Sequence, residues 1–514
     1  MKASYDVVVI GSGPNGLAAA VGLAGAGLST LVVEGHDTPG GGTRTSEITA
    51  PGFLHDVCSS VHPLGLASPW FRELGLDREL DWIQPPAAVA HVLGHGRVVT
   101  LERSIDGTAA QLGRDAASYR SLMAPLVERF DELLSMILAP LRVPSSPLLL
   151  ARFGVDALRS MRGLGHVRFR GEEAPALLAG IAAHAMVPLD RLVSASFGLV
   201  LAVAGHAVGW PILRGGSRTI TDALLAKLRR AGGELILGAR VASITQLPKA
   251  RAYVFDVSPR QLVSIAGDRL PSSYRDRLAD FRYGPGVFKM DWALHGPVPW
   301  SDPRCARSAT VHLSGTLDEI AAAEAAMQAG RIDDRPFTLL VQPTLFDPTR
   351  APAGQHVAWA YCHVPHGMPI DATDAIESHI ETFAPGFRDL IIARSTMNPV
   401  ELERYNPNYI GGDINGGALE VHQLLTRPVL RVDPYSTPAP DIFLCSSSTP
   451  PGTGVHGMCG YWAARSVLAR VFGSARAERM TEQQQRVADD EQRAAFVEHD
   501  RLGDVRPAER RRDH

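Results

Sequence analysis

The stretch that decides the fold is Gly11-Ser12-Gly13-Pro14-Asn15-Gly16, which follows the apolar run Tyr5–Ile10 and precedes an Ala- and Leu-rich segment. Three glycines in this spacing between a strand and a helix are typical of dinucleotide-binding units. Gly11 permits the tight turn, Gly13 lets the backbone approach a pyrophosphate, and Gly16 lets the helix pack closely against the strand. We therefore predict that the helix N-terminus binds phosphates through its free amides and its dipole.

The residues after this turn indicate which dinucleotide is bound. A second strand is predicted at Ser29–Val33, and it ends at Glu34, about 20 residues after the glycines, where an acid bonds a ribose hydroxyl. A second glycine cluster, Gly40-Gly41-Gly42-Thr43-Arg44, follows. NAD enzymes have no general need of such a cluster, whereas FAD enzymes of the glutathione-reductase and amine-oxidase type carry a Gly-Gly pair there. The sequence has no second such fingerprint between a strand and a helix, so FAD is the predicted cofactor and a separate nicotinamide domain is not expected.

Composition narrows the class of protein. The chain has 514 residues, 45% hydrophobic and 20% charged, with a formal net charge of -3, as in ordinary soluble globular proteins, and nucleic acid is not an expected partner. Its five cysteines form no CxxC pair, which argues against a zinc site or a disulfide scaffold and predicts a cytoplasmic location. The stretch Leu192–Leu213 lacks formal charges, but its glycines and Pro211 favour a buried helix followed by a turn over a membrane span.

The predicted fold class is α/β: a Rossmann-like FAD-binding domain with an inserted α+β substrate domain. A helix is predicted at Thr219–Ala231, one or two short strands at Glu234–Ile244, and a mainly helical region from Pro69 to Pro211. The boundaries are 1–68, 212–265 and 425–473 for the FAD-binding domain, 69–211 and 266–424 for the substrate domain, and 474–514 for a charged tail.

Several longer motifs resemble one branch of flavoproteins. They are Gly52-Phe53-Leu54-His55-Asp56, Ser59-Ser60-Val61-His62-Pro63, Gly215-Gly216-Ser217, the segment 444–452 and the segment 454–460. With these motifs the chain resembles the phytoene-desaturase-like FAD-dependent oxidoreductases from Tyr5 to Phe472. That branch includes carotenoid desaturases, retinol saturase and the animal proteins named as pyridine nucleotide-disulfide oxidoreductase domain-containing.

The resemblance implies roles for individual residues. The backbone of Val241 would meet the adenine, and the helix that begins near Gly457 would point its N-terminus at the flavin ring. The predicted cofactor-binding residues are then Gly11, Gly13, Pro14, Asn15, Gly16, Glu34, Gly41, Gly42, Thr43, Arg44, Val241, Ser448, Gly457 and Met458; no metal is expected.

Three departures place the chain outside the carotenoid desaturases proper. Arg44 follows the glycine pair later than in those enzymes. Thr449-Pro450-Pro451 replaces their Thr-His-Pro, and the chain between Val241 and Asp256 is too short for their β-hairpin. A carotenoid substrate is therefore in doubt.

Catalytic candidates are few. His456 lies in the closing motif and His62 in the segment that approaches the ring in relatives, while Asp413 and Tyr409 lie in a polar, glycine-rich loop. For each, a structural hydrogen bond, or a turn in the case of the loop, is the alternative. The sequence pattern does not identify any pair of residues as a general acid and a general base.

The leading functional hypothesis is an FAD-dependent desaturase acting on a hydrophobic small molecule such as an isoprenoid or polyene, with oxygen or a quinone as electron acceptor. A saturase, isomerase or amine oxidase is the alternative on the same scaffold, and a non-catalytic flavoprotein that binds a partner is the alternative of another class. The apolar helical insertion suits a lipophilic tunnel or peripheral contact with a membrane. Arg159, Arg162, Arg168 and Arg170 could meet anionic headgroups there, or could form a solvated helix face. The oligomeric state is left open.

Overall fold

The computed structural model describes residues 2–473 together with residues 475 and 477; the rest of the predicted charged tail lies outside the described residues. Its strands, numbered in chain order, are β1 Ser4–Ile10, β2 Thr30–Val33, β3 Thr45–Glu47, β4 Leu54–Asp56, β5 Trp82–Ile83, β6 Ala87–Val92, β7 Val98–Glu102, β8 Ile212–Leu213, β9 Glu234–Ile236, β10 Lys249–Phe255, β11 Gly286–Leu294, β12 Ser308–Leu313, β13 Thr338–Val341, β14 His356–Val364, β15 Ile391–Met397 and β16 Ile442–Leu444. Its α-helices are α1 Pro14–Gly25, α2 Pro63–Leu66, α3 Pro69–Glu73, α4 Leu76–Glu79, α5 Ile105–Ala109, α6 Ala116–Val127, α7 Phe130–Ile137, α8 Pro147–Ala157, α9 Met161–Arg168, α10 Glu173–Ala182, α11 Ser194–Ala207, α12 Arg218–Arg230, α13 Pro259–Ala266, α14 Ser272–Ala279, α15 Leu317–Gln328, α16 Thr373–Phe383, α17 Pro399–Tyr405, α18 Val421–Thr426 and α19 Met458–Val467.

The first part of the fold is built on a five-stranded parallel sheet with the strand order β16-β10-β1-β2-β9. Val7 and Val9 of β1 share a core with residues of α1, α12 and α19, whereas Val8 and Ile10 pack with residues of α13 and α14. Because helices cover both faces, β1 is apolar at consecutive positions rather than at alternate ones. Its strands all fall in the segments predicted for the FAD-binding domain, and the predicted α/β class is confirmed.

A seven-stranded mixed sheet forms the second part, in the order β15-β11-β14-β13-β12-β6-β7. Strands β6 and β12 run parallel, and the other neighbouring pairs are antiparallel. Strands β6 and β7 lie within the region predicted to be mainly helical, so that prediction is wrong for residues 87–102. The short run Ala87–Val92 is buried on both faces, and such a run cannot be told from a buried helix by periodicity alone.

One strand predicted from local pattern is present, and a second strand was not predicted. Of the one or two strands predicted at Glu234–Ile244, the structure has Glu234–Ile236, and the chain continues to Ser243 without a regular element. The strand Lys249–Phe255, which pairs with β1 and β16, was not predicted. The helix predicted within Leu192–Leu213 is present as Ser194–Ala207. Within the described part of the chain, no helix is both long enough and apolar enough to cross a membrane.

A buried ionic network joins the two parts. The guanidinium of Arg350 donates from Nη2 to Asp56 Oδ2 at 2.9 Å and from Nε to Asp347 Oδ2 at 3.1 Å. All three side chains are fully buried. The backbone amides of Gly215 and Ser217 donate to Asp347 (2.7 Å) and Asp56 (2.9 Å), respectively. The network therefore ties the end of β4 and the start of α12 to a loop beside the second sheet.

Candidate functional site

The glycine fingerprint forms the turn between β1 and α1, as predicted. Gly11 has φ +100°, a backbone conformation that residues with a Cβ rarely adopt. Gly13 is the extended N-cap residue of α1, and Pro14 follows at the first helical position, where its missing N–H costs nothing. A Cβ at Gly41 would lie 3.0 Å from the Gly13 Cα. Glycines from two segments thus keep this helix N-terminus open for a ligand.

Asp256, which the sequence reasoning missed, lies directly beneath the fingerprint at the end of β10. The Gly16 amide donates to its Oδ2 at 2.9 Å. Burial raises the pKa of this carboxyl to about 7, and the negative charge of Glu34 adds to the rise, while the Gly16 and Gly13 amides oppose it. The sequence feature that could have predicted this position of Asp256 is the apolar run Ala252–Phe255, which is followed directly by the acid. The carboxyl therefore takes a proton near neutral pH at the place where phosphates are expected.

Glu34 is anchored at the end of β2. Its Oε2 accepts hydrogen bonds from the Ser12 amide at 2.9 Å and the Ser12 hydroxyl at 2.6 Å. Its Oε1 accepts from the His36 amide at 2.8 Å, and Arg44 Nη2 lies 3.4 Å away. Each carboxylate oxygen therefore already accepts two hydrogen bonds, and the long one from Arg44 to Oε1 is the bond that a ribose hydroxyl could most easily replace.

A cavity of about 570 Å³ extends from the fingerprint toward the second sheet. This volume falls in the range of small-molecule sites. The predicted cofactor-binding residues that line it are Gly11, Gly13, Pro14, Asn15, Glu34, Gly41, Gly42, Arg44, Val241 and Ser448. The cavity, which we call the first cavity, therefore brings together residues from 11 to 448.

Four predicted residues do not line the first cavity. The Gly16 amide is engaged by Asp256, and the Thr43 hydroxyl donates to the Gly40 carbonyl at 2.7 Å. Gly457 caps α19 in a left-handed conformation, and the Met458 amide donates to the His456 ring. Residues of the preceding loop line the cavity from this side instead: Ser446, Ser447, Ser448, Thr453, Gly454 and Val455.

Of the four catalytic candidates, Tyr409 lines the first cavity, whereas His456, His62 and Asp413 lie off it. His456 Nδ1 accepts from the Met458 amide at 3.0 Å, and burial lowers the pKa of its ring to about 4. His62 Nε2 lies 2.8 Å from the Ser217 hydroxyl, and burial lowers its pKa to about 4 as well. The Asp413 carboxylate accepts from the backbone amides of residues 284, 415 and 417 at 2.7–2.8 Å. All three residues are thus hydrogen-bonded to other protein groups, and their catalytic roles stay predictions.

The far wall of the first cavity is aromatic. Trp359 and Tyr361, both on β14, stack at 6.0 Å between ring centroids with an interplanar angle of 19°, and Tyr409 lines the same cavity. The Trp359 Nε1 is buried and has no hydrogen-bond partner among the described residues. Behind it, Lys289 Nζ lies 5.3 Å from the indole ring and 2.6 Å from Asp291 Oδ1. Because side chains alternate between the two faces of a strand, the sequence of β14 could have predicted that Trp359 and Tyr361 share a face, but not that this face lines the cavity.

The acids that line the first cavity, Glu34 and Asp256, belong to the fingerprint end. No group of three or more described His, Cys, Asp and Glu side chains could hold a metal ion. The arrangement can bind a dinucleotide at one end and an uncharged or aromatic group at the other.

The chain is similar in sequence and in fold to known oxidoreductases. A model of the NAD(P)-binding Rossmann-like domain matches residues 9–74. Pyridine nucleotide-disulfide oxidoreductase domain-containing protein 2 of Mus musculus is 27% identical over 91% of this chain and 94% of its own length. Phytoene dehydrogenase of Streptomyces griseus is 27% identical over 79% of this chain and 80% of its own length. Putrescine oxidase bound to putrescine has the same fold, with a TM-score of 0.59, 17% identity, and coverage of 91% of this chain and 99% of that one.

A dinucleotide-binding sheet joined to a mixed sheet across a shared cavity is the fold that this chain shares with putrescine oxidase. The relatives by sequence are more specific: over most of its length the chain is similar to pyridine nucleotide-disulfide oxidoreductase domain-containing protein 2, to phytoene dehydrogenase and to the lycopene-forming phytoene desaturase of Paracoccus sp.. The resemblance inferred from the motifs is thereby confirmed.

Proposed function

We propose that this chain binds FAD in the first cavity and dehydrogenates a hydrophobic small molecule, such as an isoprenoid or polyene, to form a C=C bond. The observation that carries the proposal is the shape of the cavity, which begins at a phosphate-type helix N-terminus and ends at the Trp359–Tyr361 wall. Bound FAD would supply a two-electron acceptor for the C–H bond.

The residues present fit FAD. The helix N-terminus at Gly13 and Pro14 would bind the pyrophosphate, Glu34 Oε1 the ribose, and the segment at Val241 the adenine. Asn15 Oδ1 is buried without a hydrogen-bond partner among the described residues, and burial of an unpaired acceptor is costly unless a ligand satisfies it. A proton on Asp256 near neutral pH would reduce repulsion between this carboxyl and the phosphates.

The substrate end favours an uncharged group. An amine substrate would enter as a cation, yet both lining acids lie at the fingerprint end. The stacked rings of Trp359 and Tyr361 offer apolar faces, and a polyene packs on such faces through dispersion. We propose oxygen or a quinone as the electron acceptor, because the sequence carries a single dinucleotide fingerprint.

We also propose peripheral contact with a membrane. Leu141, Val143, Leu148 and Leu158 are exposed on the helical insertion, Val143 to 91%. The basic residues predicted to meet headgroups are mostly neutralised: Arg162 pairs with Asp190 and Asp318, and Arg168 pairs with Asp156. The apolar side chains, rather than these arginines, would therefore make the contact.

Three measurements test the proposed function. The purified protein should carry a yellow flavin that is released by heat as FAD; a colourless protein, or release of FMN, would contradict the cofactor assignment. Under anaerobic conditions, a panel of isoprenoid alcohols and polyenes should include a compound that bleaches the flavin absorbance. Rapid bleaching by NADPH would contradict the external acceptor.

A further inference from the structure

A second cavity of about 510 Å³ lies beside the first. Much of its lining is apolar, and the residues that matter here are Met186, Val187, Pro188, Leu192, Met327 and Leu419. Its volume is that of a small-molecule site, and its lining combines this apolar surface with a few polar side chains, among them Arg191, Glu420 and Asn415.

The partition between the two cavities is one residue thick. Asn415 lines both cavities, and its neighbours divide between them, with Gly416 on the first and Gly417 on the second. In the same way His184 lines the first cavity and Ala185 the second. The Asn415 side chain links the two segments, because its Nδ2 donates to the Ala185 carbonyl at 3.4 Å. A chain bound in the second cavity therefore ends next to the cofactor cavity.

One wall of the second cavity is a segment held under backbone strain. Met186 (φ 55°) and Val193 (φ 72°) flank residues 187–192 and are the non-glycine residues with positive φ in the described chain. A β-branched residue in this region is a steric outlier. Such strain persists where the surrounding structure imposes it, and it concentrates at functional sites.

An unneutralised cation lies in this strained segment. Arg191 lines the second cavity and is exposed, and its guanidinium has no hydrogen-bond or ion-pair partner among the described residues. The neighbouring acids are already used: Asp190 lies 3.5 Å from Arg162, and Glu420 lies 2.5 Å from Arg282. The guanidinium therefore remains free to bind an anion, and its fork suits a carboxylate.

We propose that the second cavity binds an anionic amphiphile, with its carboxylate on Arg191 and its apolar chain directed at Asn415. The chemical class is a long-chain fatty or isoprenoid acid. Because the chain would end next to the cofactor cavity, the second cavity would also be the entrance for substrate. The site stands on its own geometry, and only this role as the entrance rests on the proposed function.

The test uses the protein purified with its flavin and the fluorescent fatty acid cis-parinaric acid, with the corresponding alcohol as the uncharged probe. We expect saturable one-to-one binding of the acid. Leu419→Trp fills the cavity and should weaken the binding of both probes at least about tenfold, because the large side chain takes the volume of the chain. The control Leu425→Trp adds the same bulk at an exposed leucine that does not line the cavity, and it should change neither affinity.

Arg191→Gln should weaken acid binding about five- to tenfold and alcohol binding less than about twofold, since only the acid makes a charge-assisted hydrogen bond. Arg152→Gln removes an exposed arginine elsewhere and is the matched control. Absence of saturable binding, equal effects of the two tryptophans, or equal loss of acid and alcohol on Arg191→Gln would overturn the proposal. Flavin content is measured in every sample, so loss of the cofactor is seen separately from loss of the probe. Binding that never bleaches the flavin would support the site and count against the substrate role alone.

Discussion

Gly16→Ala should abolish retention of FAD, whereas Gly25→Ala in the same helix should not. A Cβ at Gly16 would overlap the Gly11 carbonyl oxygen and lie 2.9 Å from Asp256 Cβ. Neither the carbonyl nor the Cβ belongs to a flexible side-chain end, so α1 must move by about 1 Å to restore ordinary contact. A Cβ at Gly25 meets nothing within 4 Å.

The magnitude follows from two contributions. Overpacking of this kind costs about 1–3 kcal/mol of folding free energy. The shift also misaligns the amides at the helix N-terminus, and loss of two hydrogen bonds to charged phosphates would cost about 3–6 kcal/mol of binding free energy. We therefore expect FAD affinity to fall at least about 100-fold.

The assay is the flavin content of purified protein, followed by titration of FAD into the apoprotein. The melting temperature is a poor substitute, because an unfolding entropy of about 1 kcal/mol/K for the described chain converts 1 kcal/mol into only about 1 °C. Full flavin content and unchanged FAD affinity in Gly16→Ala would refute the reasoning. Equal loss in Gly25→Ala would show that any methyl group added to α1 has this effect.

Three further predictions concern single groups. Burial raises the pKa of Asp256 to about 7, so the folded apoprotein holds more protons than the unfolded chain between about pH 4 and 7. Its unfolding free energy should therefore fall by about 4 kcal/mol as the pH rises through this window. Urea denaturation at a series of pH values measures this slope, and Asp256→Asn should remove it. Arg350→Met should destabilise the protein by about 3–5 kcal/mol in the same assay, because it leaves the carboxylates of Asp56 and Asp347 buried without their cation. Arg304→Met removes an exposed ion pair and should cost less than about 1 kcal/mol, and similar values for the two variants would contradict the burial of the Arg350 network. The double variant Val143→Glu and Leu148→Glu should no longer float with phosphatidylcholine vesicles, whereas Val432→Glu, at another fully exposed position, should still float. Unchanged flotation of the double variant would contradict the proposed membrane contact.

The sequence predicted the cofactor end of the site better than the substrate end. Gly11, Gly13 and Glu34 could be placed because their roles depend on spacing within one βαβ unit, and local spacing is visible in a sequence. Trp359 could not be placed, because its position in the cavity depends on pairing among distant strands of the mixed sheet. The same holds for Asp256, whose contact with Gly16 spans 240 residues.

The catalytic roles of His456 and His62 stay predictions. Both residues lie in motifs that approach a flavin in relatives, but a motif does not tell which way a side chain points. In the structure both rings are buried and bonded to protein groups. The region 87–102 was misread because a strand buried on both faces lacks the alternation that distinguishes it from a helix.

The place of β16 and α19 in the fold has a consequence for synthesis on the ribosome. β16 pairs with β10, and α19 packs against α1 so closely that a Cβ at Gly460 would overlap the Asn15 carbonyl. About 190 residues separate the end of β10 from β16, which at typical translation rates is a wait of roughly 10–40 s. Throughout that interval the apolar surface of α1 and one edge of the sheet lack their final partners. We therefore expect the nascent chain to bind chaperones during this interval, and to release them once α19 has left the exit tunnel.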